Sequence, residues 1–312
     1  MVKLFYDEGI RSTFGGHEKF VFRHGWLKKG VDAASTDPVV FTRDEALVIL
    51  GVGKNMVRSI RHWCLATGML KEESVPYGTP RPLILTKLSR NLLADDGWDP
   101  FLEDIGSLWL LHWQLASNQT RTLVWHIAFT RYLVTEFTKK QLIDYIQKEL
   151  DRAVIRTTEG TVEREVDCCL RTYIPARTKP NVAPEESLDC PLAELGLVQY
   201  IPDDATFRFN IGPKASLPAA IFGYALFDYL SHIVTSRRTV SLEECVYQYG
   251  SPGQAFKLDE NSVAEYLEAL EQITAGKLHL VETAGLRQIY LDEILNNPRA
   301  FGMQILRQYY ER

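Results

Sequence analysis

The stretch L-G-V-G-K-N-M-V-R-S-I-R-H-W-C-L-A-T-G-M-L, Leu50 to Leu70, decides how this chain is read. Met56, Val57, Ile60, Trp63 and Cys64, with Ala66 or Thr67, recur at helical spacing and mark a buried side. Gly51 and Gly53 supply a turn ahead of it. Lys54, Asn55, Arg58 and Arg61 stand near the entry and along one side, so the segment reads as the second helix of a helix-turn-helix. Such a helix has the chemistry to enter a DNA groove. Backbone N–H groups and Lys54 at a glycine-flanked helix start can meet a phosphate. Asn55 can pair with adenine, and Arg58 or Arg61 with guanine or phosphate. The same residues also fit the solvated face of an ordinary core helix. G-V-G-K-N is not an NTPase loop, because it lacks the first glycine and four-residue spacer of G-x-x-x-x-G-K-[ST].

Working outward, Thr42 is a suitable N-cap for the preceding helix, with Glu45 completing a capping box and Ala46, Leu47 and Leu50 facing a core. A further helix is expected over about 24–34. Downstream, Gly68 ends the long helix, 69–73 reads as a strand, Y-G-T-P-R-P turns the chain, and 83–85 pairs back. Three helices followed by a hairpin is the winged-helix order, which places Tyr77 and Arg81 at the wing tip.

Residues 98–137 are helical and aromatic-rich, with Trp109, Trp113, Trp125 and Tyr132 as packing groups. A helix capped by Thr138 runs to about 151, another covers about 161–173, and a proline-punctuated loop runs from Pro175 to Pro191. L-G-L-V-Q-Y-I and T-F-R-F-N-I then form a hairpin. Helices over about 217–235, 241–249 and 260–274 lead to a last hairpin, K-L-H-L-V-E-T with L-R-Q-I-Y-L. Helix-helix-hairpin units can thus be drawn three times. The expected fold class is mostly α, of α+β type, with an N-terminal winged helix and a helical body carrying small hairpins. The expected domains are 1–97, winged helix; 98–137, helical scaffold or linker; and 138–312, a helical domain with two winged-helix-like hairpin units.

At 312 residues the chain exceeds one core. Its 46% hydrophobic content argues against long disorder. No apolar run is long enough for a bilayer, and the first 29 residues lack a signal-peptide core, so a cytoplasmic location is expected. Cys64, Cys168, Cys169, Cys190 and Cys245 contain no C-x-x-C pair and read as buried, reduced thiols. The net charge of −5 hides an asymmetry. Residues 1–94 carry 14 Lys and Arg against 9 Asp and Glu, whereas 95–312 carry 21 against 31. A basic front on an acidic body fits a DNA-touching module.

G-G-H-E-K-F-x-x-R-x-G-W-L-K-K-G (Gly15 to Gly30) and L-G-V-G-K-N-M-V-x-x-I-R-x-W (Leu50 to Trp63) together resemble a prokaryotic family of formerly unknown function. Its members are encoded beside DNA phosphorothioation genes and include SspB of the single-strand-specific system. The match is strongest over 14–90 and collinear to the C-terminus. The resemblance implies DNA handling, reported as nicking, alongside a cysteine desulfurase, an ATP-dependent sulfur-transfer enzyme and an ATPase. The positions carrying it are His17, Glu18, Phe20, Arg23, Gly25, Trp26, Lys28 and Lys29, then Gly51, Gly53, Lys54, Asn55, Met56, Arg58, Arg61 and Trp63. No catalytic set comes with it.

Within the first motif, His17 and Glu18 beside Arg23, Lys28 and Lys29 can activate water or bind a divalent ion near a phosphate, with Mg²⁺ or Mn²⁺ as the ion if DNA is nicked. Such cleavage normally needs two or more acidic ligands, and only Asp7 and Glu8 lie close in sequence. The structural alternative is preferred: Glu18 pairs with Arg23 or Arg61 and a hydrogen-bonded His17 locks the segment. No P-D…E-x-K pattern and no G-x-S-x-G occurs. Asp203, Asp204, Glu163, Glu165 and Asp167 read as solvated charges, the remaining histidines as isolated, and Tyr309-Tyr310 as packing. Two functions stay open. One is a DNA-binding component of a phosphorothioation-based defence system that nicks DNA to permit sulfur incorporation. The other is a non-catalytic winged-helix adaptor or transcription regulator. In either, Arg23, Lys28, Lys29, Lys54, Asn55, Arg58, Arg61 and Arg81 are the DNA-contacting set, and a homodimer fits DNA readers generally.

Overall fold

The order of the first elements follows from where α-helical periodicity starts and stops. In the computed structural model, described over residues 12–76, 78–175, 190–233, 239–291 and 297–311, the chain opens with α1 (Trp26–Thr36), α2 (Ala46–Leu50) and α3 (Lys54–Ala66). The hairpin of β1 (Leu70–Glu72) and β2 (Leu83–Leu85) follows. Gly51 closes α2 in the left-handed region, at φ 66°. A residue with a Cβ would lose roughly 1–2 kcal/mol there. The chain reverses and starts α3 three residues later. Val57, Ile60, Trp63 and Cys64 are buried on α3 while Lys54, Asn55 and Arg58 are exposed. β1 and β2 pair antiparallel, with Leu70 opposite Leu85 and Glu72 opposite Leu83.

Several local expectations change. The first helix begins at Trp26, after Gly25 has taken a left-handed backbone. Thr42 does not cap α2: it closes a 3-10 turn, its Oγ1 donating to the Val39 carbonyl at 2.7 Å. Glu45 takes the cap position of α2 without a side-chain bond. Leu47 is 36% exposed rather than in the core, and Val48 and Ile49 are more open still. A five-residue helix turns only Ala46 and Leu50 inward. Tyr77, Asp7, Glu8 and most of the loop expected from Pro175 to Pro191 lie outside the described residues.

The chain divides into two compact units, Met1–Ala128 with Glu136–Arg208, and Phe129–Thr135 with Phe209–Arg312. The first unit continues through α4 (Lys87–Leu93), α5 (Ile105–Ser117) and α6 (Leu123–Thr130), the last two residues of which are counted with the second unit. Trp109, Trp113 and Trp125 are buried in it, as aromatic groups at helical spacing should be. It ends with β3 (Glu136–Thr138), α7 (Lys139–Arg152), α8 (Glu159–Tyr173), β4 (Val198–Ile201) and β5 (Thr206–Phe209). β3 joins the hairpin to give the strand order β3-β5-β4. Thr138, its last residue, caps α7 through a full capping box.

The second unit holds α9 (Ala219–Ile233), β6 (Thr239–Ser241), α10 (Leu242–Tyr247), α11 (Pro252–Ala255) and α12 (Glu260–Ile273). β7 (Leu278–Thr283), β8 (Leu286–Leu291) and α13 (Pro298–Tyr310) complete it, and α13 packs on α9. Its sheet has the order β6-β8-β7, and Ser241 ends β6 and caps α10 as Thr138 does for α7. A three-residue strand leading into a capped helix, then returning to a hairpin, therefore occurs in both units. Helices with small antiparallel sheets make the chain α+β. All five cysteines are buried free thiols. Among the described residues no helix is long and apolar enough to cross a membrane.

Candidate nucleic-acid interface

Gly15 to Phe20 is a tight turn in the first unit, closed by the Glu18 amide on the Gly15 carbonyl at 3.0 Å and the Phe20 amide on the His17 carbonyl at 2.8 Å. Glu18 and Lys19 both have left-handed backbones, at φ 49° and 66°. Each such residue costs on the order of 1–3 kcal/mol and persists where its surroundings over-determine it. Here two helices grip the turn. From α3, Ser59 Oγ donates to the His17 carbonyl at 2.9 Å and Trp63 Nε1 to the Phe20 carbonyl at 3.2 Å. From α8, Cys168 Sγ reaches the Phe20 carbonyl at 3.6 Å and Arg171 the Lys19 carbonyl at 3.4 Å. The Gly15 amide donates to Glu165 Oε1. A Cβ on Gly16 would sit 2.4 Å from His62 Nδ1, so only glycine lets the turn lie this close to α3.

His17 is 1% exposed. Its Nδ1 accepts the Lys19 amide hydrogen at 3.0 Å, so in the neutral ring the proton sits on Nε2. Nε2 lies 3.3 Å from Glu165 Oε1, an ion-pair distance without hydrogen-bond alignment. Beside it His62 is neutral: burial, with His17, Arg121 and Arg61 nearby, lowers its pKa to about 3. The His17 ring also meets His62 and Trp125 edge-on, at 5.9 and 6.2 Å between centroids.

A cavity of about 390 Å³ opens against this turn, lined by Gly15, His17, Glu18, Lys19, Asn55, Thr161, Arg164 and Glu165. It joins His17, Glu18 and Asn55, which the two sequence motifs contribute separately. Glu18 pairs with Arg58 at 3.4 Å rather than with Arg23 or Arg61. Glu165 corrects the reading of the acidic residues. Glu163 is exposed and Asp167 partly so, but Glu165 is 2% exposed. The signal was present: Val162, Glu165, Val166 and Cys169 form one buried stripe of α8, and a carboxylate on such a stripe requires a partner. Arg164, one residue away, and Arg121 belong to neither sequence motif.

The cations fall into two groups. Lys54, Arg58 and Arg61 share one face of α3, at spacings of four and three residues. Lys54 and Asn55 are exposed, and Gly53, the cap residue ahead of α3, offers no side-chain cap. Arg61 binds Glu72 at 2.5 Å, and Arg81 lies 3.9 Å from the same carboxylate. The α1 region is more engaged. Arg23 lies over the Phe20 and Trp26 rings at 5.7 and 5.3 Å, and Lys28 binds both Asp32 and Asp95 at 2.6 Å. Lys29 is exposed, its Nζ 3.5 Å from the Leu50 carbonyl. None of these three lines the cavity.

Comparison with solved structures finds a magnesium ion-bound SspB crystal structure, 32% identical, covering 97% of this chain and 89% of that one at a TM-score of 0.88. A second SspB crystal structure is 32% identical and covers 96% and 88%, at a TM-score of 0.87. No curated protein matches. The chain's likeness to SspB extends over nearly all of its length, and the model of a family described as "Protein of unknown function (DUF4007)" matches residues 14–310: the chain belongs to this family.

Proposed function

We propose that this chain is the DNA-binding component of a phosphorothioation-based defence system, meeting DNA through a winged helix formed by α1 to β2. The likeness to SspB supports the system. What carries the DNA contact is the cation row on α3. Lys54 and Asn55 head it and make no side-chain hydrogen bond or ion pair among the described residues. Replacing Lys54 and Arg58 together by Ala is expected to weaken oligonucleotide binding roughly tenfold or more and to lower the salt slope by about 2. Fluorescence anisotropy across a salt series measures both. Unchanged affinity for single- and double-stranded DNA would reject DNA contact by this helix.

In this role the chain nicks DNA to permit sulfur incorporation. The relative holds magnesium. In this chain no three His, Cys, Asp or Glu side chains are grouped for a metal among the described residues, and Glu165 Oε1 is already bound by the Gly15 amide. The residues fit an ion held by one carboxylate, water and DNA phosphates, as Mg²⁺ often is. Glu18, partly exposed at the cavity, is that carboxylate; Mg²⁺ or Mn²⁺ there would stabilise charge and activate water. His17 is then a positioning residue that, with Glu165, fixes the turn presenting Glu18. Glu18→Gln is expected to abolish plasmid nicking in either metal while leaving oligonucleotide affinity within about threefold, since one rim charge contributes little. Nicking that survives in Glu18→Gln excludes this site.

The engaged, buried ring of His17 favours a second reading, a non-catalytic adaptor or regulator. Its acidic part would dock the cysteine desulfurase, the sulfur-transfer enzyme or the ATPase, with two copies pairing on DNA. Wild-type protein that binds DNA and nicks it in neither metal selects this reading.

A further inference from the structure

The Glu72 carboxylate sits among three guanidinium groups. Arg61 Nη2 lies 2.5 Å from its Oε1, and Arg121 Nη2 and Arg81 Nη1 lie 2.9 and 3.9 Å from its Oε2. The three come from separate elements: Arg61 from α3, Arg81 from the approach to β2, and Arg121 from the loop before α6. One carboxylate cannot neutralise three cations, so the cluster keeps an excess of two positive charges.

The arrangement is held in advance of any ligand. Asn118 donates to the Ala66 carbonyl at 3.0 Å, tying the Arg121 loop to the end of α3. Its Oδ1 accepts the Arg121 amide at 2.9 Å, fixing the start of that residue. Glu72 is itself opposite Leu83 in the hairpin register. Burial pushes the Glu72 carboxyl up, but the Arg61 hydrogen bond and the Arg121 and Arg81 charges hold it below the ordinary range, so it is an anion at neutral pH. Guanidinium forks bind carboxylate and phosphate with the same geometry.

We propose that Arg61, Arg81 and Arg121 form a clamp for a DNA backbone phosphodiester, in which the Glu72 carboxylate occupies the anion position until a phosphate joins or displaces it. This rests on DNA contact through α3, because Arg61 continues the row of Lys54 and Arg58. It extends the contact to Arg121, more than fifty residues beyond that helix.

The experiment is oligonucleotide binding by anisotropy over a salt series, with full-length Arg121→Ala, Arg121→Lys and Glu72→Gln, each checked by thermal unfolding. Arg121→Ala is expected to lose about tenfold in affinity and about one unit of salt slope, and Arg121→Lys to keep the slope while losing severalfold. Glu72→Gln is expected to bind severalfold more tightly even if it melts earlier, because a competing anion is gone. A structural staple predicts the opposite sign, so Glu72→Gln that weakens binding alongside Arg121→Ala overturns the clamp. If Lys54 and Arg58 matter while the Arg121 and Glu72 variants bind as wild type, the clamp fails and DNA contact stands. If none of them matters, DNA contact itself fails.

Discussion

Replacing the buried Lys257 by Met is expected to stabilise the second unit at neutral pH and to remove the large alkaline stabilisation expected of the natural chain. Lys257 is 5% exposed, in a left-handed backbone at φ 55°. Its amine donates to the Tyr132 carbonyl at 3.3 Å and lies 4.2 Å from the Phe209 ring centroid. Burial lowers its pKa from 10.5 to about 7. Below about pH 7 the amine is charged in the folded and unfolded chain alike, and folding carries the full cost of burying it. Between about 7 and 10.5 the unfolded chain keeps the proton that the folded chain releases, so stability rises with pH. The rise amounts to roughly 4 kcal/mol across that window. The aromatic rings favour the cation and trim the extent without changing the sign. Lys214, lowered to about 8 chiefly by burial, acts in the same direction. Met leaves the Tyr132 carbonyl without this donor, an offset of about 1 kcal/mol that does not depend on pH. Urea unfolding of both proteins at pH 7, 8.5 and 10 reads the difference. It should shrink steadily with pH, and parallel curves would mean that the folded state holds Lys257 charged.

How far the sequence carried the fold depended on the range of the forces involved. α3 was legible because its burial is periodic within thirteen residues, and the three hairpins because each joins strands close in the chain. β3 and β6 were not, since three residues are too few to show alternation. They exist through partners far along the chain, Glu136 opposite Arg208 and Thr239 opposite Tyr290. The capping box at Thr42 failed for a related reason. Its hydroxyl is taken by the Val39 carbonyl inside a 3-10 turn, a local bond that competes with capping. In the site, the cations of α3 could be read directly, whereas their engagement could not: Glu72 and Arg121 are set by hairpin register and by a loop tied to Ala66. The sequence sets His17 beside Glu18, yet the charged partner of His17 is 148 residues away on α8. Only the place of Glu165 in the stripe of Val162, Val166 and Cys169 pointed to it.

That place makes Glu165→Ala the substitution with the largest expected effect on the candidate site. Its carboxylate accepts the Gly15 amide and faces His17 Nε2 from a side chain that is 3% exposed. Removing it leaves a backbone donor and an imidazole N–H buried without a protein acceptor, at about 1–3 kcal/mol for each group so orphaned. The His17 contact is poorly aligned, so the expected loss is about 3 kcal/mol rather than the 3–5 of a fully formed buried pair broken on one side. A fall of roughly 6–12 °C in the melting temperature of the first unit follows. Glu163→Ala, two residues away and exposed, is the control and should stay within about 0.5 kcal/mol of wild type. The two left-handed residues that follow His17 depend on the same grip, so amide exchange at Glu18, Lys19 and Phe20 should accelerate in Glu165→Ala before global unfolding does. Glu165→Gln keeps an acceptor for the Gly15 amide and should recover about half of the loss. If Glu165→Ala and Glu163→Ala melt together, Glu165 is not what holds the turn. If they differ in stability but show equal exchange at Glu18, α3 alone positions that carboxylate, through Ser59 and Trp63.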